Sequence, residues 1–361
     1  MAITTIDDLL AVDTLTGLVR TFAQQAEERT CTPFFERNAA RILPSGTSAS
    51  WDEVTFSRHL APVAGIDSPH TRAKRLKPKK RSSTMAVIKA YKDLPSSDLF
   101  LNRAPGQDVA DAAAVLNNEL EDLANIIANT REFLACGALL GKIEVSEQTV
   151  PGSEVEFTLE FKNRTVDAGA SWADENTKIR SKQLIALKRA YKDGAGMRAA
   201  LAITDPNVEG YLTQNKEVQT FVRDALGVTI LRNANLTGEN LQWAGVGGLD
   251  WRFTDGTYQP EGGPVTRYFT PDRIVVLPAP ARLRNVLGWA EGKVQVPAGP
   301  VFAGAQGATS LVRDLRGFYA YAKLRDDPIG IRIYAGWHGL PVVLNPNAVL
   351  VYRTVPQAPA P

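Results

Sequence analysis

The sequence holds little of what reaction chemistry requires. Its 361 residues include only two cysteines and three histidines. Cys31 and Cys136 lie far apart, outside any CxxC or zinc-type spacing. That pattern fits a reducing compartment and gives no support to a disulfide framework. His59, His70 and His338 are isolated, so no HExxH or HxH arrangement presents itself. No GxSxG elbow occurs, and GVGGLD (245–250) is a fragment of a dinucleotide loop that neither follows a strong strand nor leads into a helix. GALLGK (137–142) and GWAEGK (288–293) have three residues between their glycines where a phosphate loop needs four, and no Ser or Thr follows either lysine. Asp326-Asp327 reads as a turn, His338 as a packed histidine, and Glu119, Glu121 and Asp122 as the solvated face of a helix. An enzyme is therefore not expected, and no catalytic residue, cofactor or metal ligand is assigned.

Long apolar runs are also missing. No stretch approaches the ~20 residues of a membrane span. The opening MAITTIDDLLAVDTLTGLV places Asp7 and Asp8 where a secretory leader needs Lys or Arg. A soluble, intracellular chain is the expectation. Its apolar fraction of 44% is enough for a sizeable core.

Charge of one sign is not in excess either: 41 basic and 39 acidic residues leave a net +2. One segment departs from that balance. TRAKRLKPKKR (71–81) carries Arg72, Lys74, Arg75, Lys77, Lys79, Lys80 and Arg81 with no acid among them. With these seven set aside, the net +2 becomes −5 for the rest of the chain. Three readings suit such a run. It is a solvated surface segment, an arm that grips nucleic acid without sequence preference, or an arm that docks on an acidic neighbouring subunit. No aromatic residue interleaves the charges, which counts against base stacking.

The pattern along the chain places this run on an extended arm. Residues 5–25 repeat Leu9, Leu10, Val12, Leu15, Leu18 and Val19 at helical spacing. TPFFER (32–37) supplies an aromatic anchor and LPSGTSAS (43–50) a loop. DEVTFSRHL (52–60) and STMAVIKAYKDL (83–94) read as strands, and Pro62, Pro69 and Pro78 exclude a helix between them. The basic run thus sits near the tip or return limb of a long β-hairpin, each limb of ~18 residues reaching ~60 Å.

A solitary helix follows, from Asp108 to about Cys136. Val109, Ala112, Leu116, Leu120, Leu123, Ile127 and Leu134 form one stripe, Pro105-Gly106 starts it and Gly137 ends it. GKIEV (141–145) and EVEFTLEF (154–161) pair as strands around Pro151-Gly152. From about 177 helix and strand alternate: a helix closed by Gly194, a strand at 198–204, a helix at 215–226, strands at 228–233 and 272–278. A hairpin or loops surround Trp243 and Trp251, and 296–310 reads as loop. Two apolar strands, broken at Pro341 and Asn345-Pro346, occupy 329–354, and PQAPAP ends the chain as a tail without structure.

Taken in this order, the parts resemble the major capsid protein of tailed bacteriophages, the lambda-like family with the Hong Kong 97 phage fold. The local matches are REFLACGALLGKIEV (131–145), YFTPDRIVVLP (268–278) and DDPIGIRIYAGWHGLPVVLNPNAVLVYRT (326–354). The resemblance implies an α+β fold: an N-arm over 1–45, an E-loop β-hairpin arm over 46–97, and a peripheral domain with the spine helix over 98–180. It further implies an axial domain over 181–285, a return to the peripheral domain over 286–339, and a final axial strand and tail over 340–361.

The implied function is structural. Hexamers and pentamers would form the icosahedral head around double-stranded DNA, which is contacted nonspecifically. The chain would reside in the virion, and in the host cytoplasm during assembly. The implied role of Arg72 to Arg81 is docking on a neighbouring subunit. Implied partners are the chain itself, a scaffolding protein, a portal and a decoration protein, with no membrane. Some members carry a large scaffold segment ahead of the N-arm. This chain begins almost at the N-arm, which implies a separate scaffold or a removed segment. The covalent Lys–Asn cross-link of Hong Kong 97 is not carried over, because its residues find no match here. Two other readings stand beside this one: an encapsulin-like nanocompartment shell, and a nonspecific DNA-binding protein using residues 71–81.

Overall fold

The computed structural model describes residues 10–25, 29–54, 77–95, 108–150, 153–225, 242–244, 246–260, 263–297, 312–326 and 329–356. Helices α1 (Val12–Gln25) and α2 (Thr32–Asn38) precede strands β1 (Ala40–Ile42), β2 (Ser48–Glu53), β3 (Lys79–Thr84) and β4 (Ala86–Pro95). The long helix α3 (Asp108–Leu140) leads to β5 (Lys142–Val145), β6 (Phe157–Glu160) and β7 (Arg164–Asp167). A π-helical turn at Ile179–Gln183 opens α4 (Leu184–Ala195), followed by β8 (Leu201–Thr204), α5 (Pro206–Gln214) and α6 (Lys216–Ala225). Next come β9 (Gln242–Ala244), β10 (Asp250–Phe253), β11 (Thr257–Tyr258), β12 (Thr266–Arg267), β13 (Arg273–Leu277) and the single turn α7 (Pro280–Leu283). The chain closes through β14 (Leu287–Glu291), β15 (Lys293–Pro297), β16 (Val312–Asp326), β17 (Ile329–Val343) and β18 (Leu350–Arg353).

Two six-stranded sheets organise these parts. The first runs β1-β14-β17-β16-β15, with β4 added along the other edge of β17. The second runs β7-β18-β13-β8-β10-β9, and its inner strands β8 and β13 are almost wholly buried, as their apolar runs LAIT and RIVVL require. The sheets share a chain crossing, since β17 of the first passes through a short 3-10 turn into β18 of the second.

The spine of the molecule is α3. At about 1.5 Å per residue its 33 residues span ~50 Å. Leu116, Leu120, Leu123, Ile127 and Leu134 of the expected stripe are buried, while the side chains of Val109 and Ala112 lie outside the described residues. This stripe lies on the first sheet, where β16 and β17 turn Phe318, Ala320, Ile333, Ala335 and Trp337 into the core. The free edge of β16 is covered by α1: the Thr16 hydroxyl accepts from the Ala320 N–H at 3.0 Å and donates to its carbonyl at 3.3 Å. One side chain thus satisfies both ladder groups of Ala320, beyond the Val312–Arg316 stretch where β16 pairs with β15.

Several sequence expectations need correction. Gly137 does not end α3, and Gly194 does not end α4. A Cβ on Gly137 would sit 2.8 Å from the Lys142 carbonyl, and one on Gly194 2.5 Å from the Arg164 guanidinium. Both are glycines of close packing. The helices stop at the next glycine, Gly141 (φ 104°) and Gly196 (φ 70°), where the left-handed conformation favours glycine. Pro341 does not break β17, which continues to Val343. The β4 ladder ends at Gly339, so the missing N–H of Pro341 interrupts nothing on that side.

The first arm strand lies earlier than expected. It is Ser48–Glu53, with Ala49 and Trp51 buried, and the rest of DEVTFSRHL from Thr55 lies outside the described residues. Neither β16 nor α5 was anticipated. Also outside the described residues are the strand expected at 228–233, most of the loop at 296–310, His59, His70, Asp327 and the terminal PQAPAP beyond its first residue. The β5–β6 pair and the β9–β10 hairpin around Trp243 and Trp251 form as the sequence suggested.

Candidate inter-subunit docking surface

The basic run divides in the structure. Arg72, Lys74 and Arg75 lie outside the described residues. Lys77 precedes β3, and Lys79, Lys80 and Arg81 open it, so these four belong to the return limb of the hairpin. Its pairing with β2 sets Lys80 opposite Asp52 and Lys79 opposite Glu53. Lys77, Lys79 and Lys80 are exposed. Arg81 is not available to a partner in the same way. Its guanidinium pairs with Glu53 at 2.6 Å and donates to the Glu160 carbonyl on β6 at 3.0 Å, with the side chain only 19% exposed. Three cations therefore face outward and the fourth holds the arm to its own chain.

The root of the arm is β4. Met85 separates it from β3, is buried, and donates its N–H to the Thr47 carbonyl at 2.9 Å. Beyond Met85, ten consecutive residues of β4 pair antiparallel with β17, from Ala86–Gly339 to Pro95–Gly330. Alternation along AVIKAYKDLP then sends Ile88, Ala90, Lys92 and Leu94 toward α3, and Val87, Lys89, Tyr91 and Asp93 outward. The inward Lys92 is not a stranded charge. It bonds Glu119 at 2.7 Å and also Asp122, so these two acids fasten the arm root to the spine helix, which a solvated-face reading misses. Burial acts to lower the Lys92 pKa, but the hydrogen bonds to Asp122 and Glu119 outweigh it and hold the ammonium above its ordinary range.

On the outward face, cross-strand register aligns Tyr321, Tyr334 and Tyr91 across β16, β17 and β4. The first two rings stack at 4.8 Å between centroids, and Tyr91 leans on Tyr334 at 5.9 Å. Lys323 lies over Tyr321 and Tyr334, and the Arg332 guanidinium over Tyr91 at 4.4 Å. Asp93 accepts from Arg332 at 2.5 and 2.7 Å and from Arg325 at 2.7 Å. The hydrogen bonds from Arg332 hold the Asp93 carboxyl below the usual range. The result is a firm, half-polar face of aromatic rings and guanidinium groups, the composition that protein interfaces favour. Its signal in the sequence is the alternation FYAYAKLR (318–325), which sequence reasoning passed over.

The sequence motifs weighed for chemistry take the following places. Gly137–Leu140 is helical, and the GWAEGK segment runs from β14 through Gly292 into β15, so neither near miss is a phosphate cradle. Of GVGGLD, Val246–Gly248 form a 3-10 turn before β10, which Asp250 opens, and the Val246 carbonyl accepts from the Trp251 indole at 2.9 Å. His338 is buried, with Nδ1 3.0 Å from the Lys293 carbonyl. Asp326 ends β16 at a hairpin. Among the described residues no helix is long and apolar enough to cross a membrane.

The family model described as phage major capsid protein E matches residues 44–351. The fold is similar to that of a prophage protein of E. coli CFT073 described as its candidate capsid protein. That match has TM-score 0.59 and 17% identity, and covers 95% of this chain and 99% of the other. It is similar also to a phage-related protein from Bordetella bronchiseptica RB50, with TM-score 0.50, 10% identity, and coverage of 96% and 97%. Comparison with curated proteins finds no match. The two likenesses carry the fold, an α+β architecture of the Hong Kong 97 type, and the family match carries the identity. With most of its length matched by that model, the chain belongs to the phage major capsid protein E family, whose members are structural proteins of the virion capsid.

Proposed function

We propose that this capsid protein assembles with copies of itself, as hexamers and pentamers, into an icosahedral head around double-stranded DNA, and that its arm docks on a neighbouring subunit through the basic run. The observation that carries the reading is the split of that run. Arg81 is committed to its own chain, whereas Lys77, Lys79 and Lys80 face outward on a hairpin whose root is fixed by ten register pairs. A rooted arm that presents exposed lysines is suited to reaching an acidic surface beyond its own fold. Every subunit makes several such contacts at once, so modest contacts add up to a closed shell.

In this reading the divisions at 1–45, 46–97, 98–180, 181–285, 286–339 and 340–361 are N-arm, E-loop, peripheral domain, axial domain, peripheral return and final axial strand. Assembly takes place in the host cytoplasm with a scaffolding protein, a portal and a decoration protein. The packaged DNA is contacted nonspecifically, and the protein performs no catalysis.

The test replaces Arg72, Lys74, Arg75, Lys77, Lys79 and Lys80 with Ser and leaves Arg81 in place. Light scattering on a sizing column, with negative-stain imaging of the peak, is expected to find fewer closed shells and more free rings or monomers. Unchanged assembly and unchanged particle stability would remove the docking role. Loss of DNA binding with assembly intact would reassign the run to nucleic acid.

A further inference from the structure

Where α2 meets α3, two thiols lie together that shell contacts do not employ. Cys31 immediately precedes α2, and Cys136 sits one helical turn beyond Glu132 on α3. Their Sγ atoms are 2.9 Å apart and both residues are 0% exposed. Glu132 stands beside them, its Oε1 3.6 Å from the Cys136 sulfur.

The trio has the composition of a metal site, but its geometry argues otherwise. Both carboxylate oxygens of Glu132 are occupied, accepting from the N–H groups of Thr30, Cys31 and Thr32 at 3.1, 2.7 and 2.8 Å. Glu132 is thus the cap for the start of α2. Two thiolates on one tetrahedral zinc, each at about 2.3 Å, stand about 3.8 Å apart. The sulfurs here are closer than that. They need to approach by only about 0.9 Å to bond to each other.

We propose that Cys31 and Cys136 are a disulfide-forming pair that staples the N-terminal helices to the spine helix once the protein leaves a reducing environment. With a low-molecular-weight disulfide such as oxidised glutathione as the oxidant, one cysteine thiolate attacks a glutathione sulfur and expels a glutathione thiolate. The second cysteine thiolate then attacks the protein-side sulfur of the mixed disulfide. The protein bond closes and a second glutathione leaves. The protein has given up two protons and two electrons, and the oxidant has become two thiols. Burial pushes both thiols up, Cys31 to about 11, so the closed pair is inert and exchange passes through an opened state of the α2–α3 contact. The ring of chain so closed contains β2, β3 and β4, so the whole arm would emerge from a covalently fixed base.

The experiment treats the purified full-length protein with oxidised glutathione, quenches it in acid and maps its peptides without reduction. The expected result is one linked pair of peptides containing Cys31 and Cys136, and an intact mass lower by about 2 Da, the two thiol hydrogens. The melting temperature of the oxidised protein should exceed that of the dithiothreitol-treated protein by several degrees, and Cys136→Ser should abolish the difference. If that variant does not fold, the wild-type peptide map decides alone. The proposal is overturned if both thiols remain alkylatable after denaturation of the treated protein. Separate glutathione adducts on each cysteine would overturn it too, as would stoichiometric zinc retained by the purified protein.

Discussion

Glu36 on α2 and Arg131 on α3 form an ion pair whose guanidinium is 1% exposed. That guanidinium is also enclosed by rings, with Trp289, Phe318 and Trp337 at 5.1, 4.4 and 5.0 Å from it. The next residue on α3, Glu132, caps the start of α2. Two consecutive charged residues of the spine helix therefore clamp one short helix, one by its side and one by its end.

Breaking this pair should be far more harmful than its surface counterparts. Removing one partner of a buried pair leaves an uncompensated charge and costs ~3–5 kcal/mol, against ~0–1 kcal/mol for an exposed pair. Glu36→Gln is expected to lower the denaturant midpoint markedly, whereas Lys142→Gln, which breaks an exposed pair with Glu144, should leave it almost unmoved. Arg131→Lys should not restore the wild-type value, because an ammonium does not stack on three rings as a guanidinium does. Chemical denaturation of each variant checks all three.

His338 should make the protein acid-sensitive. Burial lowers its pKa below the ordinary value, and although the Lys293 carbonyl opposes this, Nε2 is buried with no acceptor for a second proton among the described residues. Above about pH 6.5 the imidazole is neutral in folded and unfolded chains alike, and its contribution is intact. Below that value the unfolded chain takes up the proton first, so stability falls by up to ~1.4 kcal/mol per pH unit until the folded pKa is passed. Melting curves between pH 7.5 and 5.5 should drop less for His338→Gln than for wild type. Equal drops would exonerate the residue.

Asp205 works in the opposite direction. Its side chain caps α5 through the Asn207 N–H at 3.2 Å, while burial, with the nearby Asp272 carboxylate, outweighs the backbone hydrogen bonds it accepts and raises its pKa to about 6. Below about pH 3.8 the group is protonated in both states and its contribution is fully present. As pH rises from there to about 6 the unfolded chain ionises first, and stability is lost. Asp205→Asn keeps a good cap and removes the charge. It should stabilise the protein at pH 7 by ~1–3 kcal/mol and have little effect near pH 4. A destabilised variant at pH 7 would show that the carboxylate itself is required.

What the sequence made legible depended on range. The stripe of α3 is a local periodicity, and its residues from Leu116 to Leu134 are buried as expected; the strand read at 83–94 is also local in origin, though the structure divides it at Met85. The helix ends were misjudged because Gly137 and Gly194 lie inside their helices, close against the Lys142 carbonyl and the Arg164 side chain, which belong to other parts of the chain. Helix α5 had a local signal that was passed over: Asp205-Pro206 is an N-cap followed by proline in the first turn. The meeting of Cys31 with Cys136 had none, since the whole arm separates them in sequence. The same holds for Arg131, whose ring enclosure is drawn from β14, β16 and β17. The basic run was visible from its composition, but its division between outward lysines and an inward arginine depends on β6 arriving beside it.

The ten-residue register between β4 and β17 has a mechanical consequence. A strand cannot creep along its neighbour by one residue, because that would turn Tyr91 inward and Lys92 out to solvent, stripping Glu119 and Asp122 of their partner. The base of the arm is therefore a fixed mount, and sliding is closed to it. Beyond that mount the β2–β3 limb is tied by the Val54 N–H on the Leu344 carbonyl and by Arg81 on the Glu160 carbonyl. An excursion of the arm has to release those two bonds while the ladder stays in register. With the ladder fixed, releasing them swings the lysines about the mount, so a shell built on it would adjust the angle of its straps rather than their length.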